Sequence, residues 1–181
     1  CLLNSATKST YDQQLQSKLQ PSPMSIPAFA PTDADAYVDQ GLSQDQPGQY
    51  DQAIDEYTQA IKVDPTCAVA YLKRGYAHYE LGQSDKAIAD CSKAIELDPT
   101  NALAYRTRGF FNRQLGQYDE AIADYSKAIE LDPTDAEGYL NRGLSHRHLG
   151  EKAKAIADFA KARELGIQGK LKWHTRGVAG V

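Results

Sequence analysis

Cysteines and histidines are the residues of this 181-residue chain that could carry redox or metal chemistry. The three cysteines, Cys1, Cys67 and Cys91, form no C-x-x-C pair, the spacing that thioredoxin-like sites and cysteine-rich zinc sites require. His146 and His148 stand two residues apart, so on a helix they point to different faces. We therefore predict no metal site and no cofactor, and we interpret the histidines as scattered surface or packing residues.

Catalytic motifs of the common enzyme classes are also missing from the sequence. It contains no G-x-S-x-G, no H-E-x-x-H, no phosphate-binding P-loop and no G-x-G-x-x-G. Ser5 and Lys8 match S-x-x-K, in which a lysine activates a serine nucleophile, but the S-D-N and K-T-G motifs that accompany it are missing. We therefore predict that the protein is not an enzyme.

The chain repeats itself with a period of 34 residues. The segment DKAIADCSKAIELDPT ends at Thr100, and DEAIADYSKAIELDPT ends at Thr134. Similar segments precede and follow these two in the same phase, and a fixed period of this length is typical of helical repeat arrays. Alignment at the period gives four units, which are residues 34–67, 68–101, 102–135 and 136–169.

Each unit has the pattern of two helices joined by a turn. Gly at position 15 of every unit suits the left-handed conformation that ends a helix. Ala at positions 20 and 27, with an aromatic residue or Cys91 at position 24, follows the spacing of a second helix, which Pro at position 32 of the first three units ends. Gly at position 8 lies inside the first helix, where it costs about 1 kcal/mol relative to Ala. We expect this Gly to permit close approach of two helices.

The period and these columns resemble the tetratricopeptide repeat family. The family pattern has a large aromatic residue at position 4, Gly at 8, Ala at 20, an aromatic residue at 24, Ala at 27 and Pro at 32. The match covers 136 of the 181 residues. The resemblance implies an all-α fold, a right-handed superhelical solenoid of four antiparallel helix pairs with a concave groove.

The C-terminal residues 170–181 continue the phase, since Trp173 falls on position 4 and Gly177 on position 8. We expect them to form the first helix of a degenerate fifth unit. Such a half-repeat would cap the last apolar face, because the ends of a solenoid need a polar cover. A frayed tail is the alternative.

The N-terminal residues 1–33 do not match the repeat. Tyr11, Leu15 and Leu19 share one face of a possible short helix at residues 10–20. A Pro-rich, extended stretch follows, and its apolar residues could pack on the solenoid, lie in the groove as an internal ligand or contact a partner. A disordered linker is the alternative.

The first residue, Cys1, resembles the N-terminus of a mature bacterial lipoprotein. That resemblance implies a lipidated thiol, a membrane anchor and an extracytoplasmic location, either periplasmic or thylakoid-lumenal. If Cys1 is only an arbitrary start, the protein is instead a soluble cytoplasmic adaptor without lipid. The amino-acid sequence of the repeats is similar to that of repeats abundant in bacteria, cyanobacteria especially. This similarity favours a bacterial plasma or thylakoid membrane as the membrane in question.

Two departures from the family pattern concern positions that should be buried. Arg74, Arg108 and Arg142 replace a core Leu at position 7, and a buried guanidinium group needs partners. We predict a ladder of ion pairs, within a unit or between neighbours, with the acids at position 23, which are Glu56, Asp90, Asp124 and Asp158. Cys91 replaces an aromatic residue, and the family's geometry places it too far from Cys67 for a disulfide. We expect Cys91 to be a buried free thiol.

In the family, the first helix of each unit lines the concave groove through positions 2, 5, 9 and 12. Carried over to this chain, these positions combine large apolar side chains with Tyr and Arg, types enriched at binding hot spots. We predict that they bind a peptide or helix of a partner protein. The predicted groove residues are Val69, Leu72, Tyr76, Tyr79, Leu103, Arg106, Phe110, Arg113, Leu140, Leu144 and Arg147.

These observations favour a non-enzymatic protein-interaction scaffold, an assembly factor or accessory subunit of a membrane complex, which could be photosynthetic. Family members that grip the acidic tails of chaperones use Lys, Arg and Asn at positions 5 and 9, where this chain offers only Arg106. We therefore expect no carboxylate clamp for chaperone tails. An RNA-binding helical repeat is the less favoured alternative, because the net charge is -4 and the first unit is acidic. We expect no nucleic-acid partner.

Overall fold

The computed structural model describes residues 33–166, and in this range the chain forms eight α-helices and no strand. This architecture confirms the predicted all-α fold. Cys1, the possible helix at 10–20, the Pro-rich stretch and the half-repeat with Trp173 lie outside the described residues and stay predictions. The helices are α1 Asp33–Ser43, α2 Tyr50–Val63, α3 Ala68–Glu80, α4 Ser84–Leu97, α5 Ala102–Gln114, α6 Tyr118–Leu131, α7 Ala136–His148 and α8 Lys152–Glu164.

The helices stack in chain order, and each helix packs on its neighbours in the chain. The odd-numbered helices also contact one another, α1 with α3, α3 with α5 and α5 with α7. Between residues 33 and 166, no such contact joins successive even-numbered helices. The odd-numbered helices therefore lie on the inner side of a curved stack, and their free faces form its concave surface.

A glycine with positive φ ends each of the helices α3, α5 and α7. Gly82 has φ +74°, a left-handed conformation that a residue with a Cβ rarely adopts. Its N–H donates to the carbonyl of Tyr79 at 2.8 Å, and the N–H of Gln83 donates to that of His78 at 2.8 Å. These bonds satisfy carbonyl groups at the end of α3 that have no partner within the helix. The predicted caps are confirmed by the positive φ angles of Gly82, Gly116 and Gly150, whereas Gly48 adopts positive φ in the loop before α2 and does not cap α1, which ends at Ser43.

An Asp-Pro-Thr turn follows each of the first three even-numbered helices. The side chain of Asp98 accepts a hydrogen bond from the N–H of Thr100 at 3.0 Å and another from its hydroxyl at 2.7 Å. Pro99 lies between them and cannot donate to a continuing helix. The equivalent bonds to Thr66 and Thr134 hold the pKa values of Asp64 and Asp132 below the usual range. The turn fixes the direction in which the next unit starts.

Glycines at position 8 allow the two helices of a unit to approach closely. A Cβ added at Gly143 would lie 2.7 Å from Cε1 of Phe159, and one added at Gly41 would lie 2.5 Å from Cε1 of Tyr57. Real Cβ atoms do not approach other atoms so closely, so only Gly fits there. The expected close approach is confirmed.

The second helix of each unit supplies most of the core. Tyr57, Cys91 and Tyr125, all at position 24, are fully buried between Ala residues of the same helices. Burial raises the pKa of the Cys91 thiol to about 12, and Cys67 and Cys91 are both free. The prediction of a buried free thiol at Cys91 is therefore confirmed.

The last helix, α8, leaves one face open within the described range. Ile156 is 68 % exposed, whereas Ile122, at the same position one unit earlier, is half-buried. Arg163 stands where the preceding unit has the buried Ile129. This is the face that the half-repeat with Trp173 is predicted to cover. No helix in residues 33–166 is both long and apolar enough to cross a membrane.

Candidate functional site

Helices α3, α5 and α7 line a cleft of about 550 Å³ on the concave surface, which we call the inner cleft. Five of its lining residues were predicted from the sequence, namely Leu72, Tyr76, Leu103, Arg106 and Phe110. Sequence reasoning missed the remaining six, which are Asp45, Lys73, Thr107, Phe111, Glu137 and Asn141. Most of these six are polar, and they decide the charge of the cleft.

Several large apolar side chains of the inner cleft remain open to solvent. Tyr76 is 41 % exposed and Leu103 is 47 % exposed, although both lie in the middle of the described array. Large apolar side chains that converge in a concave surface are typical of a binding site. Leu72, at 6 % exposed, forms part of the core beneath them.

Two further predicted residues lie beside the inner cleft and contact Phe110. Tyr79 meets the Phe110 ring edge-on at 5.5 Å and stacks on Phe111 with ring centroids 4.5 Å apart. The guanidinium group of Arg113 lies over the Phe110 ring, 5.5 Å from its centroid. These contacts hold Phe110 in place by aromatic and cation–π interactions.

The other four predicted groove residues are not brought into the inner cleft. Val69 lies in the first turn of α3 and is 47 % exposed, and Arg147 is exposed near the end of α7. Leu140 and Leu144 are half-buried on α7. Their part in binding stays a prediction.

Arg106, the one residue singled out as able to grip a carboxylate, already has two acidic partners. Its Nη1 donates to Asp135 Oδ1 at 3.2 Å and to a carboxylate oxygen of Glu137. Both acids belong to the start of α7, where Asp135 is the N-cap. Arg106 is therefore neutralised from within the protein.

The α3 end of the inner cleft is acidic. Asp45, from the loop between α1 and α2, has a buried Oδ1 with no hydrogen-bond partner in the described part of the chain. Burial raises the pKa of Asp45; Lys73 opposes this rise and Glu80 adds to it. Burial, followed by the effect of the Glu80 carboxylate about one turn later on α3, raises the pKa of Tyr76 to about 12. The carboxylate of Asp45 contributes to the same rise.

The position-7 arginines form the predicted ion pairs within the second, third and fourth units, whereas Glu56 forms no such pair because position 7 of the first unit is Gln40. Arg74 donates from Nε to Asp90 Oδ2 at 2.8 Å and from Nη2 to Asp90 Oδ1 at 2.7 Å. The side chains of the three arginines are 19–24 % exposed, so their stems are largely buried as predicted. This confirms the ladder, whose members are Arg74–Asp90, Arg108–Asp124 and Arg142–Asp158.

Each of these arginines also reaches back to the preceding unit, which the sequence analysis did not foresee. Nη1 of Arg108 donates to the hydroxyl of Ser92 at 3.0 Å, and Nη1 of Arg142 donates to that of Ser126 at 3.1 Å. A hydroxyl residue at position 25 of the first three units was the available signal. The arginines therefore link successive units and set the spacing of the concave surface.

The three histidines between residues 33 and 166 are packing or surface residues, as interpreted from the sequence. His78 lies with Nε2 3.9 Å from Asp90, and burial lowers its pKa. His146 is 7 % exposed and occupies the same place beside Asp158. His148 stacks on Tyr118. Within residues 33–166 no cluster of His, Cys, Asp and Glu could hold a metal ion.

Family models match four segments of the chain, which together run from residue 38 to 165. Three of the models are described as a tetratricopeptide repeat, and they match residues 38–102, 91–123 and 136–165. The fourth, described as a TPR repeat, matches residues 112–150. No protein with a curated description matches with statistical significance.

Solved structures with the same fold include a crystal structure of MamA, which is 24 % identical with a TM-score of 0.69 over 91 % of this chain and 96 % of that chain. The TPR domain of Arabidopsis OM64 is 30 % identical, with a TM-score of 0.61 over 64 % of this chain and 95 % of that one. The first TPR of Spaghetti (RPAP3), bound to the HSP90 peptide SRMEEVD, is 29 % identical, with a TM-score of 0.58 over 70 % and 95 % of the two chains.

Proposed function

The chain belongs to the tetratricopeptide repeat family, and on that basis we propose that it is a non-enzymatic scaffold that binds a segment of a partner protein in the inner cleft. The observation that carries this proposal is the exposure of Tyr76 and Leu103 within a concave surface. A surface made only for solubility would be polar there, and exposed aromatic side chains in a cleft are frequent anchors for a partner.

The rigidity of the scaffold supports the same function. The Arg–Asp pairs and the hydroxyl groups of the preceding unit fix the register of α3, α5 and α7. A surface held in place before binding loses less conformational entropy when the partner arrives. The contacts of Phe110 with Tyr79 and Arg113 fix one wall of the cleft in the same way.

One solved relative indicates what kind of ligand such a surface accepts. The first TPR of Spaghetti is seen with an HSP90 peptide. We infer that this chain also takes a peptide segment, of a different charge, because Arg106, the only cation at positions 5 and 9 of the four units, is already paired with Asp135 and Glu137.

A narrower role, as assembly factor or accessory subunit of a membrane complex, depends on the lipid expected at Cys1. Mass spectrometry of the N-terminal peptide from protein isolated from its source organism tests that role. A diacylglyceryl adduct on Cys1 supports the membrane role, photosynthetic or not. A free thiol on Cys1 supports the alternative, a soluble adaptor without lipid.

The binding function is tested with the double variant Tyr76→Ala/Phe110→Ala, which removes two aromatic side chains from the inner cleft. We expect loss of the partner from pull-down experiments with unchanged helicity by circular dichroism. Val63→Ala/Leu115→Ala is the matched control, because it truncates two apolar side chains that are 50 % and 45 % exposed and do not line the inner cleft. Equal capture by the cleft variant and the control contradicts the proposed site.

A further inference from the structure

The charges of the inner cleft indicate which kind of segment binds there. Two cations line it, Lys73 and Arg106, and Arg106 is shared between the carboxylates of Asp135 and Glu137. Asp45 lines the opposite end, and Glu80 follows Tyr76 by four residues, about one helical turn, on α3. Three carboxylates, Asp45 and the two that bind Arg106, therefore accompany the two cations, and the surplus is negative.

Asp45 is a carboxylate of the cleft lining that forms no ion pair in residues 33–166. Its Oδ1 is buried and has no donor in residues 33–166, and no ion pair within 4 Å is formed with Lys73 there. A carboxylate with a buried, unsatisfied oxygen is unfavourable in the free protein. A cation placed against Asp45 from the cleft would compensate that charge.

The surroundings of Asp45 strengthen its attraction for a cation. Residues 34–67, the unit that supplies Asp45, contain seven acids against the single cation Lys62. Tyr76 lines the cleft together with Asp45, lies about one helical turn before Glu80 on α3 and is 41 % exposed. An exposed aromatic ring beside carboxylates adds cation–π attraction for a Lys or Arg side chain.

We propose that the occupant of the inner cleft is a partner segment with large apolar side chains for the Leu103 and Phe110 region and a Lys or Arg side chain against Asp45 and Glu80. The proposal rests on the binding function proposed above and specifies its ligand. This charge is opposite to that of the acidic peptide SRMEEVD seen with the first TPR of Spaghetti. Complementary charge contributes mainly to specificity and association rate.

The test uses short random peptides that are displayed on phage and selected for binding to the full chain. We expect enrichment of peptides that combine several large apolar residues with a Lys or Arg. Peptides selected for binding to the variant Asp45→Asn/Glu80→Gln should keep the apolar residues but should no longer be enriched in Lys or Arg. The matched control is Asp51→Asn/Asp55→Asn, which changes the net charge equally at two exposed positions of α2 outside the cleft.

A selected peptide is then measured by fluorescence anisotropy in two versions, with its basic residue as Lys and as Gln. The change to Gln should weaken binding to the native chain and to the α2 control by about tenfold, and to Asp45→Asn/Glu80→Gln by less than about twofold. Circular dichroism verifies that every variant is folded.

Each result bears on one of the two proposals. An equal loss of the basic preference in the α2 control means that the overall field selects the charge, and it overturns the site at Asp45. Enrichment of acidic peptides overturns it as well. If no peptide prefers the native chain over Tyr76→Ala/Phe110→Ala, the binding function of the inner cleft is itself wrong.

Discussion

Arg108 binds Asp124 through two parallel hydrogen bonds, from Nε to Oδ2 at 2.9 Å and from Nη2 to Oδ1 at 2.7 Å. The same carboxylate accepts from Nδ2 of Asn112 at 3.1 Å, and the remaining guanidinium nitrogen donates to Ser92 of the preceding unit. Asp124 is only 5 % exposed, so its charge depends on these partners. One side-chain network therefore joins the two helices of a unit to the unit before it.

Arg108→Leu restores the residue usual in the family at position 7 and leaves Asp124 buried without its cation. We expect a loss of about 2–4 kcal/mol in the free energy of unfolding, somewhat below the range for a fully buried pair because the arginine is partly exposed. Urea denaturation measures it. Arg147→Leu, at an exposed arginine, should change it by less than about 0.5 kcal/mol. If Arg108→Leu changes the free energy of unfolding as little as Arg147→Leu does, the role assigned to the ladder is contradicted.

Ser126→Ala removes the hydroxyl that receives Arg142 across the boundary between two units. We expect a cost of about 1 kcal/mol in the free energy of unfolding, below the ~1.5–3 kcal/mol typical of a hydrogen bond with a charged group, because Arg142 keeps both bonds to Asp158. A double-mutant cycle with Arg142→Leu measures the coupling of the two residues. Additive effects would mean that the bond at 3.1 Å contributes nothing to joining the units.

Asp45→Asn should stabilise the free protein at neutral pH, because it removes a carboxylate charge that burial disfavours. The folded pKa of Asp45 is raised, so its protonated form is the one that folding favours. The wild-type chain therefore gains stability from this group at acidic pH and loses it as the pH rises through the raised pKa. Thermal melts of both proteins should diverge with rising pH and converge in acid. A difference between the two melting temperatures that stays constant across this pH range would contradict the prediction.

The chain's only tryptophan, Trp173, tests the predicted cap over Ile156. If residues 170–181 cover this side chain, their deletion should lower the free energy of unfolding by about 1–2 kcal/mol. Ile156→Ser should then be costly in the full chain and nearly neutral in the shortened one. Red-shifted tryptophan emission that acrylamide quenches freely would support the frayed tail instead.

The repetitive parts of the fold could be predicted because one local rule recurs in every unit. Gly82 and its counterparts have to adopt positive φ, and Gly143 has to make room for Phe159. Position 7 was informative for the same reason, since a buried Arg requires an acid at a recurring spacing.

The cleft was less predictable, because its character depends on contacts between units and on residues that do not recur. Asp45 belongs to the loop of the first unit, and Glu137 pairs with Arg106 across a unit boundary. Position numbers alone made Arg106 the one residue at positions 5 and 9 able to grip a carboxylate, and they did not reveal that Asp135 and Glu137 already bind it. Tyr79 occupies a predicted groove position, yet its ring is committed to Phe110 and Phe111.

The most direct test of the account places a photo-crosslinking amino acid at residue 103, in the middle of the inner cleft, within the source organism. Leu103 is a suitable site because it lines the cleft and is 47 % exposed. The same amino acid at Leu115, which is 45 % exposed in a turn and does not line the cleft, is the control. The account predicts one dominant adduct from residue 103 that is missing from residue 115, joined to a partner peptide with apolar residues near a Lys or Arg. Adducts from residue 115 alone, or the same adducts from both positions, would contradict it.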